Sequence, residues 1–344
     1  MKDLRLMVTL CPTMPHYRRF AYDPRLEGIR LNSAMVFGDE VDKEIEAVRD
    51  VSAVGMYHLP EIRPLYFDIK GRQLRVTENY PNKECLDIRI NHPIEVKTPT
   101  VVLFKAGSDP ALLKEIRDGN RLVFEGGPKW KVKEGESLCI RCPTLKVNGP
   151  VFCDYEIEKI EKVVKGGFRR FFLSYVEGQR DYDEFREIIG FEPEETILKI
   201  ESKAGLNFVA KGFRKKENLS LCAARGDMYV EIDKPHEILE ACKLIAQKDP
   251  EALVGSRILL SVVNSPVPEC HDFSDLAWLY DIGYKRMMLC DELCLKENLL
   301  GTAVKVFEAF RDSYSNEVSD PAAKPAPATK KPTKRWFTWF GRDN

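Results

Sequence analysis

Short apolar runs alternate along most of the chain with segments whose apolar positions recur at helical spacing, the rhythm expected of βα units. Strands are expected at Leu4–Thr9, Gly28–Asn32, Leu65–Ile69, Phe171–Val176, Ile197–Ser202, Leu219–Ala224, Arg257–Val263 and Arg286–Asp291. Helices are expected at Glu40–Val51, Tyr155–Val164, Tyr182–Ile189, His236–Gln247, Phe273–Asp281 and Leu299–Arg311, with shorter helical segments around Tyr17–Leu26 and Gly205–Phe213. Repeating βα units of this length predict an α/β fold of the closed (β/α)8 TIM-barrel type rather than an open doubly wound sheet.

One interval breaks the rhythm. Between Val76 and Pro150 the pattern changes to short alternating segments at Leu86–Ile90, Val101–Phe104, Arg121–Phe124, Trp130–Val132 and Ser137–Ile140, with a helix expected at Pro110–Arg117. Asn91-His92-Pro93, Gly126-Gly127-Pro128 and Asn148-Gly149-Pro150 punctuate it as turns. The organisation expected is a barrel from 1–75 and 151–316, with a small inserted β-barrel-like domain at 76–150. An insertion after a barrel strand emerges at the C-terminal face, where barrel sites lie, and is placed to act as a lid. Residues 317–344 form a different segment. Ser319–Thr333 is rich in Pro, Ala and Lys, a composition that predicts disorder. Beyond it, Trp336, Phe337, Trp339 and Phe340 stand beside Lys334, Arg335 and Arg342, a cluster suited to docking on a protein or a membrane surface.

Composition narrows the setting. The 344 residues are 44% hydrophobic, enough for a large core with a smaller second unit. Lys+Arg 53 against Asp+Glu 54 gives a net charge of −1, which predicts no nucleic-acid partner and no general affinity for anionic lipid. No run approaches the ~18 apolar residues of a membrane span. The opening residues read as a first strand rather than a signal peptide, so a cytoplasmic protein is expected. The ten cysteines are scattered, mostly within apolar runs, as in a reducing compartment. Cys139 and Cys142 form a lone C-x-x-C without a second pair, most simply two thiols on a strand and its turn. The five histidines are dispersed, with no pair at ligand spacing.

The candidate chemistry sits at expected strand ends. Lys199 and Glu201 are two residues apart, hence on one strand face. In a barrel mouth such groups are costly unless they pair or bind a ligand. The next strand leads into Arg225-Gly226-Asp227. Glu201 and Asp227 on neighbouring strands would supply two carboxylates, a sufficient protein contribution to Mg²⁺, which keeps water and substrate oxygens as its other ligands. A Lys–Glu salt bridge at the barrel rim is the structural alternative, and spacing alone leaves both open.

Seven ordered motifs change that balance. Ile197–Gly205 (ILKIESKAG) resembles the lysine-and-glutamate strand of pyruvate kinases, and Ala224–Ile232 resembles their A-R-G-D-L-G-x-E signature. Thr9-Leu10-Cys11-Pro12 resembles T-x-G-P, Ile29–Asn32 resembles A-R-L-N, and Phe67–Arg75 resembles D-T-K-G-P-E-I-R, after which that family carries its lid domain. Ser274–Ala277 resembles S-D-V-A, and Met287–Glu292 resembles I-M-L-S-G-E. The resemblance runs from about Leu4 to Tyr314.

It implies a phosphotransferase that moves the phosphoryl group of phosphoenolpyruvate to ADP, giving pyruvate and ATP. Glu201 and Asp227 would hold Mg²⁺, Lys199 and Arg30 would act on the phosphoryl group, the backbone of Arg225, Gly226 and Asp227 would receive the substrate carboxylate, and Ser261 would bind substrate. Arg75 and Asn32 would serve the nucleotide, with Asn32, Asp68 and Ile69 as ligands of K⁺. Departures accompany it: Val262, with Ser261 beside it, stands at the family's strand-seven threonine; Ala34 and Met35 replace a serine and a histidine; Ile69 replaces a threonine and Gln73 a glutamate. The insert is shorter than the family's, and the family's C-terminal allosteric domain is expected to be absent. Three readings follow: a reduced pyruvate kinase, a related Mg²⁺-dependent pyruvate-enolate lyase or decarboxylase, and a non-catalytic binding protein recruited by its tail.

Overall fold

In the computed structural model, residues 3–32, 43, 45, 46, 62–82, 84–232 and 234–318 are described. The expected helix Glu40–Val51 lies for the most part outside the described residues, as do Ala34, Met35 and the aromatic tail. Chain order gives β1 (Arg5–Thr9), β2 (Leu26–Asn32) and β3 (Leu65–Lys70), then an antiparallel excursion. That excursion comprises β4 (Val76–Asn79), β5 (Asp87–Ile90), β6 (Ile94–Glu95), β7 (Thr100–Phe104), β8 (Asp109–Arg117), β9 (Arg121–Glu125), β10 (Cys139–Ile140) and β11 (Lys146–Val147). The chain returns through β12 (Arg170–Ser174), β13 (Glu195–Ile200), β14 (Leu219–Ala224), β15 (Leu253–Gly255) and β16 (Arg286–Met288).

Strands β1–β3 and β12–β16 pair in parallel and close into an eight-stranded barrel in the order β1-β16-β15-β14-β13-β12-β3-β2. Its strands are buried on both faces, β14 at every position, which is why they read as continuous apolar runs instead of alternating ones. Met7, Tyr66, Phe172, Ile197, Cys222, Leu253 and Met288 fill the interior. A larger apolar layer lies between the strands and the surrounding helices. At the strands' N-terminal ends Arg286 donates to Glu195 at 2.6 Å and lies 2.8 Å from Glu27, while the Tyr66 hydroxyl donates to Glu195 at 2.6 Å. These buried charges close the end of the barrel opposite the site.

Ser202 caps Lys203–Lys211 by accepting from the Gly205 N–H at 3.1 Å. A Cβ at Gly205 would stand 2.7 Å from the Val176 carbonyl, so only glycine fits where this helix meets the preceding loop. Among the described residues, no helix is long and apolar enough to cross a membrane.

Three expected elements are corrected. Arg257–Val263 is not a strand: β15 ends at Gly255, Ser256, Arg257 and Leu259 adopt positive φ (69°, 62° and 53°), and Leu260–Val263 forms a 3₁₀ turn. The short run Leu253-Val254-Gly255 supplies the ladder, and the apolar residues after it are buried as a turn under the helices. Pro110–Arg117 is the strand β8, not a helix. Its Ala111 and Leu113 are buried while Leu112 and Lys114 are exposed, a period of two that overrides helix propensity. Trp130–Val132 forms no strand, because the Lys129 and Trp130 N–H groups donate to the Asp109 carboxylate, each at 2.8 Å, instead of to a neighbouring strand.

β4, β5, β7, β8, β9 and β10 form one antiparallel sheet with its own apolar core, and β6 pairs with β11. This unit touches the barrel at the helix Arg225–Glu231. The Cys139 thiol donates to Glu231 at 2.8 Å, and Arg141 donates to the carbonyls of Val230 and Tyr229. Both cysteines of the C-x-x-C are free thiols.

Candidate active site

The C-terminal ends of the barrel strands gather charged side chains around a cavity of about 500 Å³. Arg30 of β2, Lys199 of β13, Glu201 just beyond it, Asp227, Ser256 and Asp291 line it. Parallel register explains the gathering: each strand delivers its last inward-pointing residue to the same layer, so residues far apart in sequence become neighbours.

Beneath the cavity, Asp68 of β3 is fully buried. Its Oδ2 accepts from Arg30 Nε at 2.8 Å and Lys70 Nζ at 2.7 Å, with Lys199 Nζ 3.6 Å away, while Oδ1 accepts from the Ser174 hydroxyl at 3.0 Å. Burial alone would raise its pKa, but Lys199, Lys70 and Arg30 outweigh that and hold it well below the ordinary carboxylate range. Lys199 donates to Ser174 at 2.9 Å and lies 2.9 Å from Glu201 Oε1. Burial pulls its pKa down, yet Asp68 and Glu201 prevail and keep it above its usual value, a fixed positive charge on the cavity floor.

Glu201 is fully buried. Its Oε2 accepts from the Tyr175 N–H at 2.6 Å, while Oε1 faces the Lys199 ammonium. Burial pushes the carboxyl up; Lys199 pulls it back, and Asp227 raises it again. Glu201 and Asp227 are neighbouring carboxylates at the mouth, and this donor set fits a hard divalent cation that takes its remaining ligands from water and substrate. Among the described residues no group of three or more His, Cys, Asp or Glu is arranged as a metal cage.

Several expected site residues lie elsewhere. Ser261 is withdrawn: its hydroxyl donates to Asp272 and accepts from the Glu269 N–H at 3.0 Å, tying the 3₁₀ turn to the next helix. Val262 is core. Because β15 stops at Gly255, the strand-seven residue at the mouth is Ser256, and the alignment that placed the threonine at Val262 is displaced. A Cβ on Gly226 would stand 3.2 Å from Ser256 Oγ, so that glycine brings the Asp227 helix and the Ser256 hydroxyl together. The Arg225 guanidinium points away from the cavity into a two-pronged pair with Asp275 at 2.7 and 2.8 Å, and also donates to the Ser256 carbonyl at 2.9 Å.

Arg75 lines a second cavity of about 590 Å³ with Lys70, Asn91, Tyr155, Glu156 and Lys159. It donates to the Gly135 carbonyl at 2.6 Å and to Gln73, while its Nε is buried without a partner. Asn32 is not part of that cavity. Its amide donates to Asp291 Oδ2 at 2.9 Å, next to Arg30. The chain Lys70–Asp68–Arg30 joins the two cavities.

Of the side chains expected at K⁺, Asp68 already takes hydrogens from Arg30, Lys70 and Ser174, and the Asn32 amide donates to Asp291.

Sequence reasoning missed Ser256, Lys70, Ser174 and Asp291. Asp291 carried a visible signal, since Cys290-Asp291-Glu292 stands where the resembled strand motif has S-G-E. Its Oδ1 accepts from Arg30 Nη1 at 3.0 Å. Burial raises its pKa, but Arg30 and Thr9 more than compensate and hold it below the ordinary value.

No family model matches the chain. It is 24% identical over 333 residues to a protein named pyruvate kinase from Methanocaldococcus jannaschii, covering 92% of this chain and 72% of that one. It is 34% identical over 217 residues to a pyruvate kinase of Agrobacterium vitis, covering 60% of this chain and 43% of that relative. The crystal structure of pyruvate kinase from Pyrobaculum aerophilum matches with a TM-score of 0.67 at 17% identity, over 90% of this chain and 73% of that chain.

Proposed function

We propose that this chain, a divergent relative of the pyruvate kinases, transfers the phosphoryl group of phosphoenolpyruvate to ADP at the cavity lined by Lys199, Glu201 and Asp227. The observation that carries the reading is the convergence of Lys199, Glu201, Asp227 and Ser256 at one barrel mouth, with Arg30 at its side. Glu201 and Asp227 would hold Mg²⁺. When bound, that ion would offset negative charge on the phosphoryl and enolate oxygens.

The protein's own groups account for the rest. Lys199, held cationic by Asp68 and Glu201, faces the phosphoryl group in transfer, a reaction that depends on positioning and charge rather than covalent catalysis. The bond from phosphorus to the enol oxygen breaks as one to a terminal ADP oxygen forms. The electron pair left on pyruvate enolate then takes a proton at its methylene carbon. Ser256, the hydroxyl at the strand-seven mouth, is placed to relay that proton from water. Arg75, Lys70 and Lys159 around the second cavity would receive the nucleotide phosphates.

The test is pyruvate release from phosphoenolpyruvate, ADP and Mg²⁺, followed by reduction with lactate dehydrogenase, for the wild type and Lys199→Met. Turnover in the wild type that falls by about a thousandfold or more in the variant supports the reading. Absence of turnover in the wild type, or turnover indifferent to Lys199, would sink it.

One observation favours a second reading. Asp291 neutralises the cavity-facing side of Arg30, which suits a site working on the enolate of a 2-oxo acid, as a decarboxylase or lyase does, without a nucleotide. Loss of carbon dioxide from oxaloacetate that requires Glu201, in a protein inert toward phosphoenolpyruvate, is the outcome that would select it.

A further inference from the structure

Arg30 is held by two carboxylates that do different things. Its Nε and Nη2 are committed to buried Asp68, an arrangement that orients the guanidinium from below. Nη1 is the nitrogen left for the cavity side, and it donates to Asp291 Oδ1 at 3.0 Å as well as to the Thr9 hydroxyl at 3.1 Å. Asn32 fixes the other Asp291 oxygen at 2.9 Å, so both carboxylate oxygens are aimed at this corner. Asp291 cannot swing away freely, because it follows β16 almost directly and opens the short helix Asp291–Cys294. It nevertheless faces the cavity, with a third of its side chain exposed.

The charge balance follows. Arg30, Lys70 and Lys199 face the four carboxylates of Asp68, Glu201, Asp227 and Asp291. A phosphoryl group arriving beside Arg30 would compete with Asp291 for Nη1 and stand against its negative charge in a partly desolvated corner. A ligand that carries its charge at the Glu201 and Asp227 side, without a phosphoryl group, would meet neither cost.

We propose that Asp291 is a specificity-determining residue that occupies the phosphoryl-facing side of Arg30 and biases the site toward unphosphorylated 2-oxo acids and their enolates over phosphoenolpyruvate. This rests on the reading of the cavity as an enolate site. It means that the phosphotransfer has a weak grip on its phosphorylated substrate and a relatively strong one on pyruvate. The residue acts by competing for a binding group and by charge repulsion, a discrimination built from a misplaced anion.

The experiment is calorimetric titration of the full chain with phosphoenolpyruvate and, separately, with oxalate as the enolate mimic, both in excess Mg²⁺, for the wild type, Asp291→Asn and Asp291→Gly. Removing a carboxylate about 4 Å from a phosphoryl oxygen is expected to tighten phosphoenolpyruvate by about tenfold or more. Oxalate affinity is expected to stay within about threefold. If oxalate binds all three proteins but phosphoenolpyruvate does not gain in either variant, the role of Asp291 is refuted and the enolate site stands. If both variants lose both ligands, Asp291 is a structural brace and the proposal is likewise refuted. If the wild type does not bind oxalate with Mg²⁺, the reading of the cavity fails and takes the inference with it.

Discussion

The residue that changes the account most is Ser256. Read from sequence, the proton-handling position falls at Val262, a side chain that carries no proton, and the catalytic set looks incomplete. The structure moves the position back to the end of β15, because Ser256 and Arg257 leave the extended region with φ of 69° and 62°. The run Ile258–Val263, apolar except for Ser261, looks like a strand, and pattern alone cannot distinguish a buried strand from a buried turn. Lys199 and Glu201, in contrast, were legible from their spacing of two, and Asp227 from the strand before it. Ser256→Ala is expected to lower the rate of pyruvate release by about a hundredfold while Mg²⁺-dependent oxalate binding is kept. An unchanged rate would remove Ser256 from the reaction. Ser261→Ala serves as the contrast, since its hydroxyl caps a helix through Asp272 and faces no cavity.

At the scale of elements, legibility followed burial. Six of the barrel strands, those reaching Thr9, Asn32, Lys70, Ser174, Ile200 and Ala224, end within two residues of the pattern or closer, since each is a continuous apolar run bounded by polar or glycine punctuation. Of the last two strands, the seventh was expected at Arg257–Val263, past the end of β15, and the eighth was read too long. β15 and β16 have three residues each; the apolar residues after β15 are buried in a 3₁₀ turn, and after β16 the Leu289 N–H still donates to the Met7 carbonyl of β1. β8 failed for another reason. Pro110 followed by Ala, Leu, Leu and Lys has a helix former's composition, and only its partners, β7 on one side and β9 on the other, make it a strand. Contacts such as Cys139 to Glu231, which tie that sheet to the Asp227 helix, join positions 92 residues apart and have no local signature. The same holds for Asp291 and Arg30. Their residue types were visible in sequence; their meeting depends on the barrel closing.

For the whole molecule, the barrel separates a charged end that must stay closed from a charged end that must accept ligand. At the closed end partial burial by itself would raise the pKa of Glu195, but Arg286, Tyr66 and Ser220 together hold it below the ordinary value of 4.5. A carboxyl lowered by folding contributes stability that is full above its unfolded pKa and is lost as pH falls through the lowered folded value. Glu195→Gln is therefore expected to cost about 2–4 kcal/mol at pH 7 in urea unfolding, with the gap to wild type narrowing below about pH 4. A gap that stays constant across that range would show the loss to be packing and not charge. At the open end the account stands on Glu201 and Asp227 forming a divalent-cation site that also receives an enolate. The most direct test is titration of Mn²⁺ into the full chain, monitored by electron paramagnetic resonance, with and without oxalate, for the wild type and Glu201→Gln. The account predicts Mn²⁺ binding that oxalate tightens in the wild type and that largely disappears in the variant. Mn²⁺ binding indifferent to both oxalate and Glu201 would contradict it.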